Sequence, residues 1–168
     1  MRKQKGFSLI ELLIVVAIIL IIAAIAIPNL LRSKMAANEA SAVSALRTLN
    51  TTEILYSTNC SSLSTTLKAL GPDATTGLVP VCGGAGEDLI DAVMAGATTG
   101  GTATTFTKSG YNFAYTPGSA AEPNASYTIT AVPVSIGGSG LRGFFTDQTG
   151  VLHANTTGAA GTAGDPPL

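Results

Sequence analysis

The chain has 168 residues, of which 46% are hydrophobic, 5% aromatic and 11% charged, with a formal net charge of −1. This length accommodates one modest domain beside the N-terminal segment, and the charged fraction is less than half of the roughly 25% that is usual in soluble globular domains. Beyond residue 57 there are three basic and seven acidic residues. This part of the chain is therefore negatively charged. A negative surface repels the phosphate backbone of nucleic acids, so no direct nucleic acid binding is predicted.

The first predicted element is a long apolar helix. Every residue from Leu12 to Ile27 is Ala, Val, Ile or Leu, and between Phe7 and Leu12 only Ser8 and Glu11 are polar. As a helix, residues 7–27 would span about 30 Å, which is enough to cross the hydrocarbon core of a bilayer. Three basic residues precede this run and predict a cytoplasmic N-terminus: Arg2, Lys3 and Lys5.

Glu11 is the unusual residue of this segment. A carboxylate near a membrane core costs at least a few kcal/mol, so it needs a partner or a function. No Lys, Arg or His follows it until Arg32, about 30 Å further along a helix. A partner within the same chain is therefore not expected, and a group on a neighbouring copy is the simplest solution.

Two simpler interpretations of the apolar segment remain open at this point. A secretory signal peptide should have a shorter apolar stretch without charge, followed by a small-residue cleavage site. Here the stretch is long, it contains Glu11, and an amphipathic pattern continues beyond Pro28. A plain single-pass anchor would fit the length but would leave Glu11 unexplained.

The segment Lys5-Gly6-Phe7-Ser8-Leu9-Ile10-Glu11, with the apolar run, Pro28 and Asn29 after it, resembles the processing site of type IV prepilins and type II secretion pseudopilins. The resemblance covers residues 1–57. It implies that residues 1–6 are a leader, that a prepilin peptidase cuts between Gly6 and Phe7, and that the same enzyme N-methylates Phe7. It also implies that Glu11 attracts the freed terminal ammonium of an adjacent subunit during assembly.

The helix is predicted to occupy residues 7–57. Residues 7–30 would form the membrane span and later the filament core, and Pro28 would kink the helix because it lacks an N–H and crowds the preceding turn. Beyond Pro28 the apolar residues recur at three- and four-residue steps. The polar residues between them predict a solvated face, with intersubunit salt bridges as the alternative: Arg32, Lys34, Asn38, Glu39, Ser41, Arg47, Asn50 and Glu53.

Residues 58–168 are predicted to form a globular head. Short helices are expected at 63–70 and 87–95, an exposed Gly/Thr/Ala loop at 96–105, and a frayed tail from residue 156. Alternating or apolar runs predict three or four antiparallel strands near residues 111–115, 127–132, 141–146 and 151–154. Packed against the helix, they would give an α+β architecture, which agrees with the ladle-shaped pilin fold that the resemblance implies.

Cys60 and Cys82 are the only cysteines. The resemblance places the head outside the cytoplasm, where an intrachain disulfide is the default. Many pilins close their disulfide around the C-terminal part of the head, so the loop expected here, between helix and sheet, departs from that pattern. No metal site or cofactor is predicted, because His153 is alone and neither Asp147 nor Asp165 lies in a recognisable calcium-ligand array.

No catalytic motif is recognisable, so the leading interpretation is structural: a type IV pilus subunit serving adhesion, motility or DNA uptake. By the resemblance, the precursor would reside in the inner membrane, meet the peptidase, the assembly platform and its ATPases, and end in a homo-oligomeric filament at the cell surface. A pseudopilin forming a short periplasmic filament for type II secretion is the alternative. A membrane-tethered binding module or enzyme that never polymerises is the third hypothesis.

Overall fold

The computed structural model describes residues 7–72, 89–96, 104–118 and 124–168. Within these residues the chain forms one long helix, α1 (Leu9–Cys60), a short 3₁₀ helix at Leu67–Leu70, and five strands. The strands are β1 (Thr105–Lys108), β2 (Tyr111–Pro117), β3 (Tyr127–Pro133), β4 (Gly143–Asp147) and β5 (Leu152–Asn155). The predicted α+β architecture is confirmed, with one long N-terminal apolar helix and a small antiparallel sheet.

Helix α1 is longer than predicted at its C-terminal end. The loop signals around Asn59 and Cys60 placed the end near residue 57, but the helix continues to Cys60. It stops at Ser61, whose φ of 55° is left-handed and whose N–H donates to the carbonyl oxygen of Ser57. A single left-handed residue is a common way to end a helix. Pro28 lies inside the helical range, and the kink at Pro28 stays a prediction.

The described chain divides into two compact units between Lys34 and Met35. The first unit contains the apolar part of α1, and its side chains are exposed almost throughout. The second unit contains the remainder of α1 and the whole sheet. A sheet must bury one of its faces, and the amphipathic half of α1 supplies the apolar surface that covers it.

The sheet is an antiparallel meander in the order β1-β2-β3-β4-β5. Four of its strands correspond to the predicted ones. Strand β1 was not predicted, because it begins at the end of the loop predicted at 96–105, of which residues 97–103 lie outside the described residues. In β1 the phenyl ring of Phe106 stacks on that of Phe113 in β2 at 4.4 Å between centroids. This cross-strand aromatic pair explains how such a short strand is held.

The core of the second unit joins the buried face of the sheet to α1. Alternate residues of β2 and β3 point inward, including Tyr111, Phe113 and Ile129, as half-buried strands require. From α1 the cluster receives small and aliphatic side chains together with Tyr56. The helix contributes at three- and four-residue spacing, which is the period of one helical face: Ala42, Ala45, Leu46 and Leu49.

Two expectations about the head were wrong and one falls partly outside the described residues. Of the helix predicted at 63–70, only Leu67–Leu70 is helical, and it is a 3₁₀ turn. The tail is not frayed, because Ala154 donates its N–H to Pro166 O and Leu168 donates to Leu152 O, both at 2.9 Å. Of the segment 87–95, residues 89–95 are described, and residues 92–96 form turns without a regular helix.

Candidate functional site

The start of α1 places Ser8 and Glu11 in contact. The N–H of Ser8 donates to Oε2 of Glu11 at 2.9 Å, and the N–H of Leu12 donates to the carbonyl oxygen of Ser8 at 3.3 Å. Ser8 precedes the first helical residue, Leu9, so Glu11 occupies the third helical position. A serine followed by glutamate three residues later is the pattern of a capping box, in which the glutamate reaches back to the N-cap N–H.

This contact corrects the expectation that Glu11 has no partner in its own chain. The donor is a backbone group, the N–H of Ser8, rather than a charged side chain. Acidic groups are favoured at a helix N-terminus because of the exposed N–H groups and the helix dipole. The Ser-x-x-Glu spacing was visible in the sequence and could have revealed the contact.

The segment after Glu11 presents an apolar surface that the chain itself does not cover. Phe7 is 80% exposed, and the side chains from Leu12 to Ile27 are exposed except for the half-buried Ala23. The most apolar window of α1 has a mean hydropathy of 3.3, and none of it is buried. By length and composition this helix could span a membrane. A surface of this kind needs lipid or other protein chains around it.

The residues implied by the processing motif are placed as follows. Gly6 lies outside the described residues, while Phe7 and Glu11 are both described, and Glu11 follows Phe7 by about one helical turn. Pro28 lies in the exposed part of α1. The roles of Gly6, Phe7 and Glu11 in cleavage, methylation and assembly remain predictions.

Cys60 is disulfide-bonded and lies at the last position of α1. Cys82, its predicted partner, lies outside the described residues. The pairing therefore stays a prediction, although the chain contains no third cysteine. A link at this position would tie the end of α1 to the connection that leads to the sheet.

Glu39 joins α1 to the β3–β4 connection. Its carboxylate accepts the N–H of Leu141 at 2.8 Å, the N–H of Arg142 at 3.2 Å and the Nε–H of Arg142 at 2.8 Å. Burial alone would raise the pKa of Glu39, but the Leu141 N–H and then the Arg142 groups lower it below its ordinary value. The neighbouring Asn38 donates from Nδ2 to Ser139 O at 2.8 Å.

Glu53 is fully buried and holds the segment that follows the helix. It accepts the N–H of Ser64 at 3.0 Å and the hydroxyl of Ser64 at 2.5 Å. The carbonyl oxygen of Ser64 in turn accepts from the hydroxyl of Tyr115 at 2.6 Å and from Nδ2 of Asn124 at 2.8 Å. Burial first, and the charge of Glu53 next, raise the pKa of Tyr115 well above its ordinary value.

The expectation of a solvated face was therefore wrong for three polar residues of α1. Glu39, Asn50 and Glu53 are buried, and Asn50 bonds Thr146 through Nδ2 at 2.8 Å and Tyr127 through Oδ1 at 3.1 Å. Their spacing could have revealed this, because they fall on the same helical face as Leu46. Through these contacts the three side chains hold the sheet, the β3–β4 connection and the Ser64 segment against α1.

Among residues 7–72, 89–96, 104–118 and 124–168, no group of three His, Cys, Asp or Glu side chains is placed to hold a metal ion. His153 lies with Nδ1 at 2.6 Å from the carbonyl oxygen of Asp165, and its ring packs edge-on against that of Phe145 at 6.1 Å between centroids. Asp165 is engaged with Thr162 through its carboxylate at 2.7 Å.

Comparison with known proteins identifies the N-terminal segment. Residues 1–27 match the model of the prokaryotic N-terminal methylation motif. Over 39 residues, 23% of this chain, the sequence is 64% identical to the type IV wide pilus major component PilA4 of Thermus thermophilus. Over 70 residues, 42% of this chain, it is 34% identical to the type II secretion system core protein G of Dickeya chrysanthemi and 39% identical to that of Vibrio cholerae.

These matches cover only part of each relative. The aligned region spans 30% of the Thermus protein, 46% of the Dickeya protein and 48% of the Vibrio protein. No significant match was found among solved structures. The family-model match lies within residues 1–27, and these three relatives match 23% to 42% of this chain.

Proposed function

We propose that this chain, whose N-terminal segment carries the methylation motif shared by type IV pilins and type II secretion pseudopilins, is the structural subunit of a type IV pilus. The observation that carries the proposal is the apolar helix surface from Leu12 to Ile27, which is exposed throughout the single chain except at the half-buried Ala23. A bilayer covers such a surface before assembly, and the same surface of other copies covers it afterwards.

The first step of the proposal is processing. A prepilin peptidase would cut between Gly6 and Phe7, which removes the three basic residues ahead of the apolar run. Those charges hold the N-terminus at the cytoplasmic face. Their removal, followed by N-methylation of Phe7, leaves a short apolar end that is free to leave the bilayer plane.

The second step is a change of partner at Glu11. Among the residues that the structure describes, its carboxylate accepts the backbone N–H of Ser8. A carboxylate has room for several donors, so the cap does not saturate it. The terminal ammonium of an adjacent Phe7 would add a charge-assisted bond, which is stronger than a neutral one. Assembly would thus pair two groups that are each costly in a low-dielectric environment.

The third step is packing of helices in the filament core. The small side chains at Ala23, Ala24 and Ala26 permit close approach of neighbouring helices, and the surrounding Ile and Leu side chains supply contact area. The sheet-bearing unit would then face outward. The filament would function in adhesion, motility or DNA uptake. Extension would require an assembly platform and cytoplasmic ATPases, because this chain carries no nucleotide-binding loop.

A pseudopilin of a type II secretion system is the second candidate. It is favoured by the length of similarity to the two core G proteins, which extends over 70 residues, whereas the match to the pilus component extends over 39. The higher identity belongs to the pilus component. In the pseudopilin case the filament would remain periplasmic and would serve secretion.

A deletion strain distinguishes the candidates. We expect loss of surface filaments by electron microscopy and unchanged secretion of exoproteins, and both effects should be tested in the native host. Complementation with the wild-type gene should restore filaments, whereas Glu11→Ala should insert in the membrane without assembling. Thr51→Ala, a change on the exposed face of α1, is the matched control and should assemble. Filaments formed normally by Glu11→Ala would contradict the proposed pairing, and loss of secretion alone would favour the pseudopilin.

A further inference from the structure

The last residues of the chain pair antiparallel with β5 at the free edge of the five-stranded sheet. His153 in β5 forms a bridge with Pro167. On either side of it, Ala154 donates its N–H to Pro166 O and Leu168 donates its N–H to Leu152 O, each at 2.9 Å. These are the backbone groups through which β5 would otherwise pair with another strand. We refer to residues 162–168 as the edge strap.

Side chains fix the strap in this position. The carboxylate of Asp165 accepts the N–H of Thr162 at 2.7 Å and Nδ2 of Asn155 at 3.2 Å. The carbonyl oxygen of Asp165 lies 2.6 Å from Nδ1 of His153, so the tautomer protonated at Nδ1 donates to it. The carboxylate of Asp165 therefore connects two residues within the strap. The carboxylate and the carbonyl oxygen of Asp165 also join the strap to β5.

The chain that leads into the strap runs very close to β4. A Cβ added at Gly143 would come within 1.8 Å of the carbonyl oxygen of Ala159, and one added at Gly161 would come within 2.9 Å of Cβ of Phe145. Only glycine permits such close approach of two backbones. The path of the segment is thus fixed before the strap begins.

The outer edge of the strap lacks the backbone donor that another strand would use at its central position. His153 and Pro167 form a pair without hydrogen bonds between them, and at such a pair each residue directs its own N–H and C=O away from the partner strand. The outward position of the strap is thus occupied by Pro167, which has no N–H. Proline on an edge strand is a known means of preventing strand addition.

We propose that the edge strap closes a strand-addition site on β5 and so prevents edge-to-edge association of the sheet with a second copy of this chain. The site is the row of backbone groups at Leu152 and Ala154, and the partner it fits is an extended strand. Closing it leaves the apolar part of α1 as the surface through which copies associate. The inference depends only on the sheet, and it stands or falls separately from the proposed pilus function.

The test uses the full chain in detergent micelles, with residues 165–168 deleted. We expect amide exchange at Ala154 to accelerate by about tenfold or more, since its acceptor is gone, and apparent mass by light scattering to rise with protein concentration. A synthetic peptide with the sequence of residues 161–168 should bind the deleted chain, restore protection of Ala154 and reverse the association. Near-ultraviolet circular dichroism from the buried tyrosines reports whether the deleted chain is folded.

Asp165→Ala keeps the chain length and provides a second variant in case the deletion does not fold. It should accelerate Ala154 exchange less than the deletion does. Pro167→Ala and Pro166→Ala form a matched pair: the first restores an outward N–H and should promote association, whereas the second adds a donor toward β5 and should not. Unchanged Ala154 exchange and no association in the folded deletion variant would overturn the proposal. Equal association of the two proline variants would overturn the role assigned to Pro167.

Discussion

The N–H of Ser8 lies 2.9 Å from Oε2 of Glu11, so the carboxylate that the apolar helix carries near its start is bound to the backbone of its own first turn. The same side chain is proposed to meet the ammonium of another copy. Capping and charge pairing make different demands on it. An acceptor oxygen is sufficient for the cap, whereas attraction of an ammonium requires the negative charge.

The first prediction separates these two demands. Glu11→Gln retains an acceptor at the third helical position, where glutamine also serves in capping boxes, but removes the charge. We expect Glu11→Gln to insert in the membrane with wild-type helicity and to yield few or no surface filaments. Glu11→Ala should show the same assembly defect with some fraying of the first turn. Filament counts by electron microscopy, normalised to membrane-bound protein, provide the measurement.

Normal filaments with Glu11→Gln, together with none from Glu11→Ala, would mean that capping rather than charge is what assembly requires. Ser8→Gly is a useful companion, because it retains the N–H that Glu11 accepts. It should leave assembly close to wild type.

The second prediction concerns the buried carboxylate of Glu53. In Glu53→Gln an NH₂ group replaces one of the two oxygens that accept from Ser64. One buried donor of Ser64 then loses its acceptor. We expect a loss of about 1–3 kcal/mol in the free energy of unfolding, measured by urea denaturation in mild detergent with tyrosine fluorescence. Thr51→Ala, on the exposed face two residues earlier, should change it by less than about 0.5 kcal/mol. A loss for Glu53→Gln no larger than that of the control would show that the network does not stabilise the head.

The third prediction concerns acid stability through Glu39. The pKa of Glu39 in the folded chain lies below its ordinary value of 4.5. A group of this kind contributes stability above the unfolded-state pKa, and the contribution is lost as the pH falls through the folded-state pKa. The free energy of unfolding of the wild type should therefore fall more steeply than that of Glu39→Gln below about pH 4.5. Asp91, whose pKa is also lowered, is retained in both chains and cancels in the comparison. Parallel pH profiles would contradict the role of the Leu141 and Arg142 contacts.

The fourth prediction concerns the tyrosines. Burial first, and the charge of Glu39 next, raise the pKa of Tyr111 to about 12, and burial raises the pKa of Tyr115 and Tyr127 still further above the ordinary value. A raised pKa gives stability that is present below the unfolded-state pKa and is lost as the pH rises toward the folded-state value. These three tyrosines should therefore remain protonated through pH 10, and their tyrosinate absorbance should rise only as the chain unfolds. A smooth titration of all tyrosines near pH 10 in a folded chain would contradict this.

The fifth prediction concerns the disulfide. If Cys60 pairs with Cys82, a non-reducing digest should contain one cross-linked peptide, and Cys60→Ser should lower the free energy of unfolding by about 3 kcal/mol in the chain-entropy description of a loop of about 20 residues. Cys82→Ser and the double variant should show the same loss as Cys60→Ser, because each removes the same bond. Additive losses in the double variant would exclude the pairing.

Much of this structure follows from patterns in the sequence. The apolar run from Leu12 to Ile27 predicts a helix long enough to span a membrane, and the alternation of Tyr111, Phe113 and Tyr115 predicts strand β2 of the head. Both signals are local, because they depend on the period of side chains along one element. The α+β architecture follows from combining them.

The features that were missed depend on contacts between distant parts of the chain. Glu39 and Glu53 look like solvated charges until the β3–β4 connection and the Ser64 segment are placed against them. Pro166 and Pro167 predict a frayed end, but the structure pairs this segment with β5, because proline is tolerated at the outer position of an edge strand. The short strand β1 depends on stacking of Phe106 with Phe113, which its own sequence does not reveal.

The most direct test of the central claim is the N-terminal mass of the subunit in filaments sheared from the cell surface. We predict that the shear fraction contains this chain beginning at Phe7, with one methyl group on its amino nitrogen and residues 1–6 absent. A chain in that fraction that still begins at Met1, or filaments that do not contain this chain at all, would rule out the proposed pilus function.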